Sequence, residues 1–161
     1  MSKVHPFLWF DNKAEEAANF YVSLFPNSRI TNASRYTEGS PGEAGSVMTV
    51  EFELDGRHFT ALNGGPHFHF TEAVSFVVDC ADQAEVDRYW DKLSEGGKTS
   101  QCGWLKDRYG LSWQIVPRDL PQLVGGPDRA GAKRAMAAML KMTRLDIGKL
   151  RAAYEGAVDA G

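Results

Sequence analysis

Two stretches of this chain carry the same local programme in the same order, and that repetition limits the available folds more than any other feature. Asn12 with Glu15, and Asp82 with Glu85, each read as a capping box that opens a helix. Behind the first, Ala14, Ala17, Ala18, Tyr21, Leu24 and Phe25 recur at helical spacing until Pro26-Asn27. Behind the second, Val86, Tyr89, Trp90 and Leu93 do the same until Gly96-Gly97, so that Phe20-Tyr21 corresponds to Tyr89-Trp90. A short strand precedes each helix, Val4 to Phe10 and Ala73 to Asp79. Extended segments follow: Ser28 to Tyr36, Ser46 to Leu54 and Arg57 to Asn63 in the first copy, joined by the Thr37 to Gly45 loop and the Asp55-Gly56 hairpin turn. The second copy has only Lys98 to Lys106 for its two middle strands, so one of them is expected to be very short. Gly56, Phe59 and Thr60 match Gly110, Trp113 and Gln114. The expected class is α+β: two β-α-β-β-β modules, residues 4–63 and 73–117, a linker 64–72, and a helical extension over 118–161.

The stretch Cys102 to Pro117 shows how one copy works. Asp107 and Gly110 bracket a tight turn, because an aspartate can accept from backbone ahead of it and a glycine can take positive φ. Beyond it, Leu111, Trp113 and Ile115 alternate with Ser112, Gln114 and Val116. One face is apolar and should lie under a helix. The other holds out a hydroxyl and an amide, which suits a small-molecule pocket. The expected ligand-binding lining is His5, Phe7 and Trp9 from the first strand, Thr60 and Leu62 from the fourth, Ser75 from the fifth, Ser112 and Gln114 from the last, with Trp104 at the mouth. The alternative is that these residues fill ordinary core.

Charge and composition exclude several classes. The net charge of -3 argues against nucleic acid as the main partner, and no apolar run reaches the length of a membrane span. The N-terminus lacks the basic start and apolar core of a signal peptide, and Cys80 and Cys102 form no CxxC pair; a cytoplasmic protein is expected. The charge is unevenly spread. Residues 118–161 hold eight Lys/Arg against five Asp/Glu, a balance of +3 where residues 1–117 carry -6. Such a tail is either a solvated pair of helices, capped by Asp128 and Asp146, or a segment that docks on the acidic body or a partner subunit. His67-x-His69 would put two rings on one face of a strand, but with no carboxylate nearer than Glu72 they read as surface or packing histidines. His58, just past the hairpin turn, reads as an exposed strand residue.

The paired modules, Phe20-Tyr21 and the Asp107-x-x-Gly110-x-x-x-Gln114 turn resemble the vicinal oxygen chelate superfamily, which includes glyoxalase I, extradiol dioxygenases and bleomycin resistance proteins. The PhnB-like branch, often named demethylubiquinone methyltransferase-like, is similar over nearly the full length. The similarity is carried by Pro6-Phe7-Leu8-Trp9-Phe10, Ala14 to Tyr21, Ala61 to Pro66, Cys102 to Asp107 and Leu145-Asp146-Ile147. The resemblance implies two modules whose sheets curl around a cleft, usually in a homodimer.

The resemblance also implies a chemistry. Enzymes of the superfamily hold a divalent metal with His/Glu side chains from the first and last strands of each module. Matched strand by strand, those places fall on His5, Thr60, Ala73 (with the register there open by one) and Gln114. Only His5 is an ordinary ligand, so no metal and no cofactor is expected. A methyl donor of the adenosyl type needs a glycine-rich loop between strand and helix, and Gly64-Gly65, Gly96-Gly97 and Gly125-Gly126 are not so placed. Three functional readings stand: a metal-independent binder of planar or aromatic small molecules, an enzyme of the superfamily (lyase, dioxygenase or methyltransferase) with His5 as candidate catalytic base, and an interaction module acting through its dimer.

Overall fold

The computed structural model describes residues 2–156, which fall into two compact units divided between Phe70 and Thr71. The first contains β1 (Phe7–Phe10), α1 (Ala14–Leu24), β2 (Arg29–Arg35), β3 (Val47–Leu54) and β4 (Arg57–Asn63), with sheet order β1-β4-β3-β2. The second contains β5 (Ser75–Cys80), α2 (Gln83–Ser94), β6 (Lys98–Thr99), β7 (Trp104–Lys106) and β8 (Ser112–Pro117), with order β5-β8-β7-β6. The two orders are the same, strand for strand. Each sheet closes by a parallel pair, β1 on β4 and β5 on β8, and its other pairings are antiparallel. The fold is α+β with two β-α-β-β-β modules, as the repeat requires. The tail adds α3 (Leu120–Val124), α4 (Arg129–Met139) and α5 (Ile147–Glu155) to the second unit. Among the described residues no helix is long and apolar enough to cross a membrane.

Alternation sorts each sheet into a core face and an open face. In the first unit Leu8, Phe10, Val50, Phe52, Leu54, Phe59 and Ala61 are buried, as are Ala14, Ala17, Ala18, Tyr21 and Leu24 of α1. Phe52 stacks on Phe59 at 5.4 Å between ring centroids, and Tyr21 of α1 lies 6.4 Å away. In the second unit Val78, Cys80, Leu105, Trp113 and Ile115 do the same work with Val86, Tyr89, Trp90 and Leu93 of α2. Asp55 (φ 50) and Gly56 (φ 77) both take left-handed backbone between β3 and β4, the two-residue hairpin geometry that matches strand twist.

The second helix start approximates a capping box, with the return bond one residue before the cap, and the first does not form one. Asp82 accepts from the Glu85 amide at 2.9 Å, and Glu85 reaches back to the Ala81 amide at 3.4 Å. Asn12 instead sits at φ 57 and leaves Lys13 at the cap, with no side-chain bond. The amide of Ala14 is satisfied by Asn63 Oδ1 at 2.9 Å, from the end of β4. A distant side chain has replaced the local one. The fifth strand also starts later than expected, at Ser75, because Glu72-Ala73 form a turn.

The tail packs within the second unit. The amides of Cys102 and Gly103 donate to the carbonyls of Met142 and Thr143, both at 2.8 Å. Gln83 of α2 clamps the same segment, its Nε2 donating to Leu145 O at 3.1 Å and its Oε1 accepting from Ile147 N at 2.8 Å. Leu123, Ala135, Leu145 and Leu150 form a buried cluster beneath. Arg144 pairs with both Asp87 and Asp91 of α2, at 3.5 and 3.7 Å, so the cationic tail lies on an acidic helix.

Cys80 closes β5 and is fully buried. Burial first, then the charges of Glu85, Asp79 and Asp82, push its thiol from 9.0 up to about 12. The folded thiol keeps its proton where the unfolded one gives it up. This contribution to stability is therefore intact below about pH 9 and is lost as pH rises toward 12. In mildly alkaline solution iodoacetamide should label Cys102, which is partly exposed, well before Cys80. Equal labelling rates for the two thiols in the folded protein would contradict this environment.

Candidate functional site

The open face of the second sheet is ordered in cross-strand rows. Pairing of Lys98 with Lys106, Lys106 with Ser112 and Ser112 with Ser75 makes one row across all four strands. The next runs from Trp104 to Gln114 to Val77, with the Ser100 amide donating to Trp104 O at 2.9 Å. Of the residues expected to line a pocket, Ser75, Trp104, Ser112 and Gln114 thus share one face. A cavity of about 260 Å³ lies on it, lined by Trp104, Ser112, Lys98, Lys106 and Glu72 among others. Lys98, Lys106 and Glu72 were not expected there: β6 and β7, of two and three residues, leave almost no periodic signal, and Glu72 lies outside both, in the turn before β5.

Three contacts set the chemistry of this face. Gln114 Nε2 donates to Ser75 Oγ at 2.9 Å, so the two neutral groups occupy each other. Lys106 Nζ pairs with the Glu72 carboxylate, which is held below the usual carboxylate range by that hydrogen bond and by the ammonium charge. Ser112 Oγ is buried, and among the described residues it has no hydrogen-bond partner. A buried hydroxyl of this kind costs free energy unless something else satisfies it.

Below these rows Asp107 fixes the turn between β7 and β8. Its Oδ1 accepts from the amides of Tyr109 (2.8 Å) and Leu111 (3.1 Å), and its Oδ2 from Trp113 Nε1 (2.9 Å). Gly110 (φ 88) completes the turn by donating to Asp107 O. The carboxylate is only 2% exposed. It sets the register that places Ser112 and Gln114 opposite Lys106 and Trp104.

On the first sheet, Phe7 pairs with Thr60 and Trp9 with Leu62. Phe7 is exposed and Thr60 buried. Trp9 is less open than a pocket wall: its Nε1 donates to Gly65 O at 2.8 Å and Phe68 packs edge-on at 4.8 Å. A Cβ on Gly64 would fall 2.4 Å from the indole, so only glycine lets the linker lie there. His5 lies just before β1 with its ring 4.5 Å from that of His58. His58 is not the exposed residue expected from its place after a turn. Its side chain is 10% exposed, because β4 is an interior strand and His5 covers the ring, and its Nε2 lies 3.6 Å from Glu51 Oε1. His67 and His69 are exposed in irregular backbone, where spacing of two no longer puts their rings on one face.

A family profile described as 3-demethylubiquinone-9 3-methyltransferase matches residues 2–116. The PhnB protein from Bacillus cereus is 39% identical, over 72% of this chain and 99% of that one, with a TM-score of 0.66. The chain belongs to this PhnB-like family, within the vicinal oxygen chelate superfamily. Two more distant structures share the fold: a protein from Pseudomonas aeruginosa (19% identity, 73% and 98% covered, TM-score 0.60) and the fosfomycin resistance protein FosX from Listeria monocytogenes (14%, 75% and 93%, TM-score 0.52). No curated protein matches.

For a PhnB-like chain the superfamily implies a metal, and the register permits a test of fit. Thr60 pairs with Phe7, whereas Gln114 pairs with Val77, so the residue equivalent to His5 in the second module is Ser75 rather than Ala73. The four places are then His5, Thr60, Ser75 and Gln114: one imidazole, two hydroxyls and an amide. Ser75 and Gln114 already bond to each other, and among the described residues no group of three or more His, Cys, Asp or Glu is placed to hold a metal ion. This donor set does not fit a divalent cation.

Proposed function

We propose that this PhnB-like protein is a metal-independent binder of small planar or aromatic molecules, which it takes on the open face of the second sheet. The observation that carries this reading is the cavity beside Trp104, with an unsatisfied Ser112 hydroxyl in its wall and the neutral Ser75–Gln114 pair on the same face. Flat apolar wall plus a few placed polar groups is the usual makeup of a small-molecule site. The transferase implied by the family description lacks support in the backbone. The junctions between strand and helix, Asp11–Lys13, Ala81–Asp82 and Arg118–Asp119, contain no glycine, so none resembles the loop that cradles an adenosyl donor. Exposed Val74, just before β5, and Val77 within it favour burial in a homodimer, and two free cysteines suit a reducing cytoplasm.

A second reading has its own observation, the His5, His58 and Glu51 cluster on the open face of the first sheet. It would make the protein an enzyme with His5 as general base beside Thr60.

Native mass spectrometry of protein purified without chelator or affinity tag tests both. The binder reading expects a dimer, well under one equivalent of metal, and a small organic occupant that leaves with its mass unchanged. Near-stoichiometric metal would overturn it. So would conversion of an added compound to a new mass, lost in His5→Ala while binding survives; that result would establish the enzyme.

A further inference from the structure

Lys98 and Lys106 face each other directly across the β6–β7 ladder. Like charges so placed repel unless something offsets them. The offset comes from Glu72, in the turn before β5, whose carboxylate meets Lys106. That side chain is 64% exposed, so the pair is a weak surface contact that an incoming group can replace. The adjacent Ser112, 1% exposed and without a partner among the described residues, belongs to the same row as both lysines. Two ammoniums and a hydroxyl donor therefore converge on one wall, and the carboxylate found there comes from the protein's own chain. Trp104 in the neighbouring row is partly exposed and lines the same cavity. About 260 Å³ is at the small end for ligand sites, room for a single ring with one substituent.

We propose that the natural ligand of this face is a small aromatic carboxylate, and that Glu72 is its resident stand-in. The ligand carboxylate displaces Glu72 from Lys106, is shared with Lys98, and accepts the Ser112 hydroxyl, while its ring lies along Trp104. The assignment rests on the reading of this face as the ligand site and adds the charge and size of what binds. It also gives Glu72 a role opposite to that of a binding residue, because it competes with the ligand.

The test uses the full-length protein with benzoate, its neutral isostere benzamide, and inorganic phosphate, followed by titration calorimetry and by the indole N–H signal of Trp104 in nitrogen-15 spectra. Benzoate should bind at least tenfold more tightly than benzamide or phosphate. Glu72→Gln should strengthen benzoate binding several-fold, and Lys106→Met should weaken it at least tenfold. Ser112→Ala should weaken it by a smaller factor, and Lys92→Ala on α2 should leave it unchanged. Thermal melts of each variant separate lost binding from lost folding. If benzamide binds as well as benzoate with a Trp104 response, the face remains a ligand site and the carboxylate assignment falls. Phosphate binding as well as benzoate would overturn the role of the ring. Weaker benzoate binding in Glu72→Gln would overturn the stand-in role, and silence of all three probes at Trp104 would overturn both the assignment and the reading beneath it.

Discussion

Asp107→Ala is expected to cost about 4 kcal/mol of folding stability, because it orphans three donors in a buried turn. Two are the backbone amides of Tyr109, which is part-buried, and Leu111, which is buried, and the third is the buried Trp113 indole. Asp107→Asn should cost about half as much, since one oxygen can still serve the amides while the new NH₂ meets the indole N–H head-on. Trp113→Phe removes the indole bond and also shrinks a nearly buried ring, so about 2–3 kcal/mol is expected. Urea midpoints for the three variants give the ranking directly. A loss under 1 kcal/mol for Asp107→Ala would mean that the carboxylate does not hold the turn. The consequence reaches the site, because the same turn sets β8 against β7. Where Asp107→Ala remains folded, the Trp104 indole resonance should broaden or move.

The second large effect is Phe52→Ala in the first unit, expected at about 4 kcal/mol. Phe52 is fully buried between Phe59 and Tyr21, so truncation removes a ring and leaves a cavity that α1 and the sheet cannot both close. Phe7→Ala on the same sheet is the control. Phe7 points to the open face and is 56% exposed, so its loss should cost under about 1 kcal/mol. Comparable costs at the two positions would mean that the faces of this sheet have been assigned wrongly.

Much of the fold was legible because its signals are local. Alternation in Arg57 to Asn63, helical spacing from Val86 to Leu93 and the Asp55-Gly56 turn each constrain a few neighbouring residues, and each element formed near where it was expected. What escaped depends on partners far away in sequence. Asn12 and Glu15 have the letters of a capping box, yet Asn63 captures the first amide of α1. The short helix Leu120–Val124 went unseen because five residues with Pro121 among them give no periodic stripe. At the site, Ser112 and Gln114 could be placed on one face from their alternation with Trp113. Lys98 and Lys106 could have been added by carrying the register back through the Asp107–Gly110 turn. Glu72 could not, since only the fold brings the turn before β5 to the end of β7. The covering of Trp9 by Phe68 and of His58 by His5 lies in the same class of contact.

The parallel closure of each sheet also governs how the chain can reach this structure. The β3–β4 hairpin joins near neighbours through Asp55-Gly56 and can form as soon as it is made. Strand β1, by contrast, pairs only with β4, so Phe7 must wait for Thr60. Closing that interval costs chain entropy before any parallel pairing rewards it, and such topologies fold slowly. During synthesis on a ribosome the aromatic segment Phe7–Phe10 emerges early and stays unpaired while some fifty further residues follow it. Strand β5 meets the same delay, since Ser75 waits for Ser112. In each module the first strand made has to wait for the last.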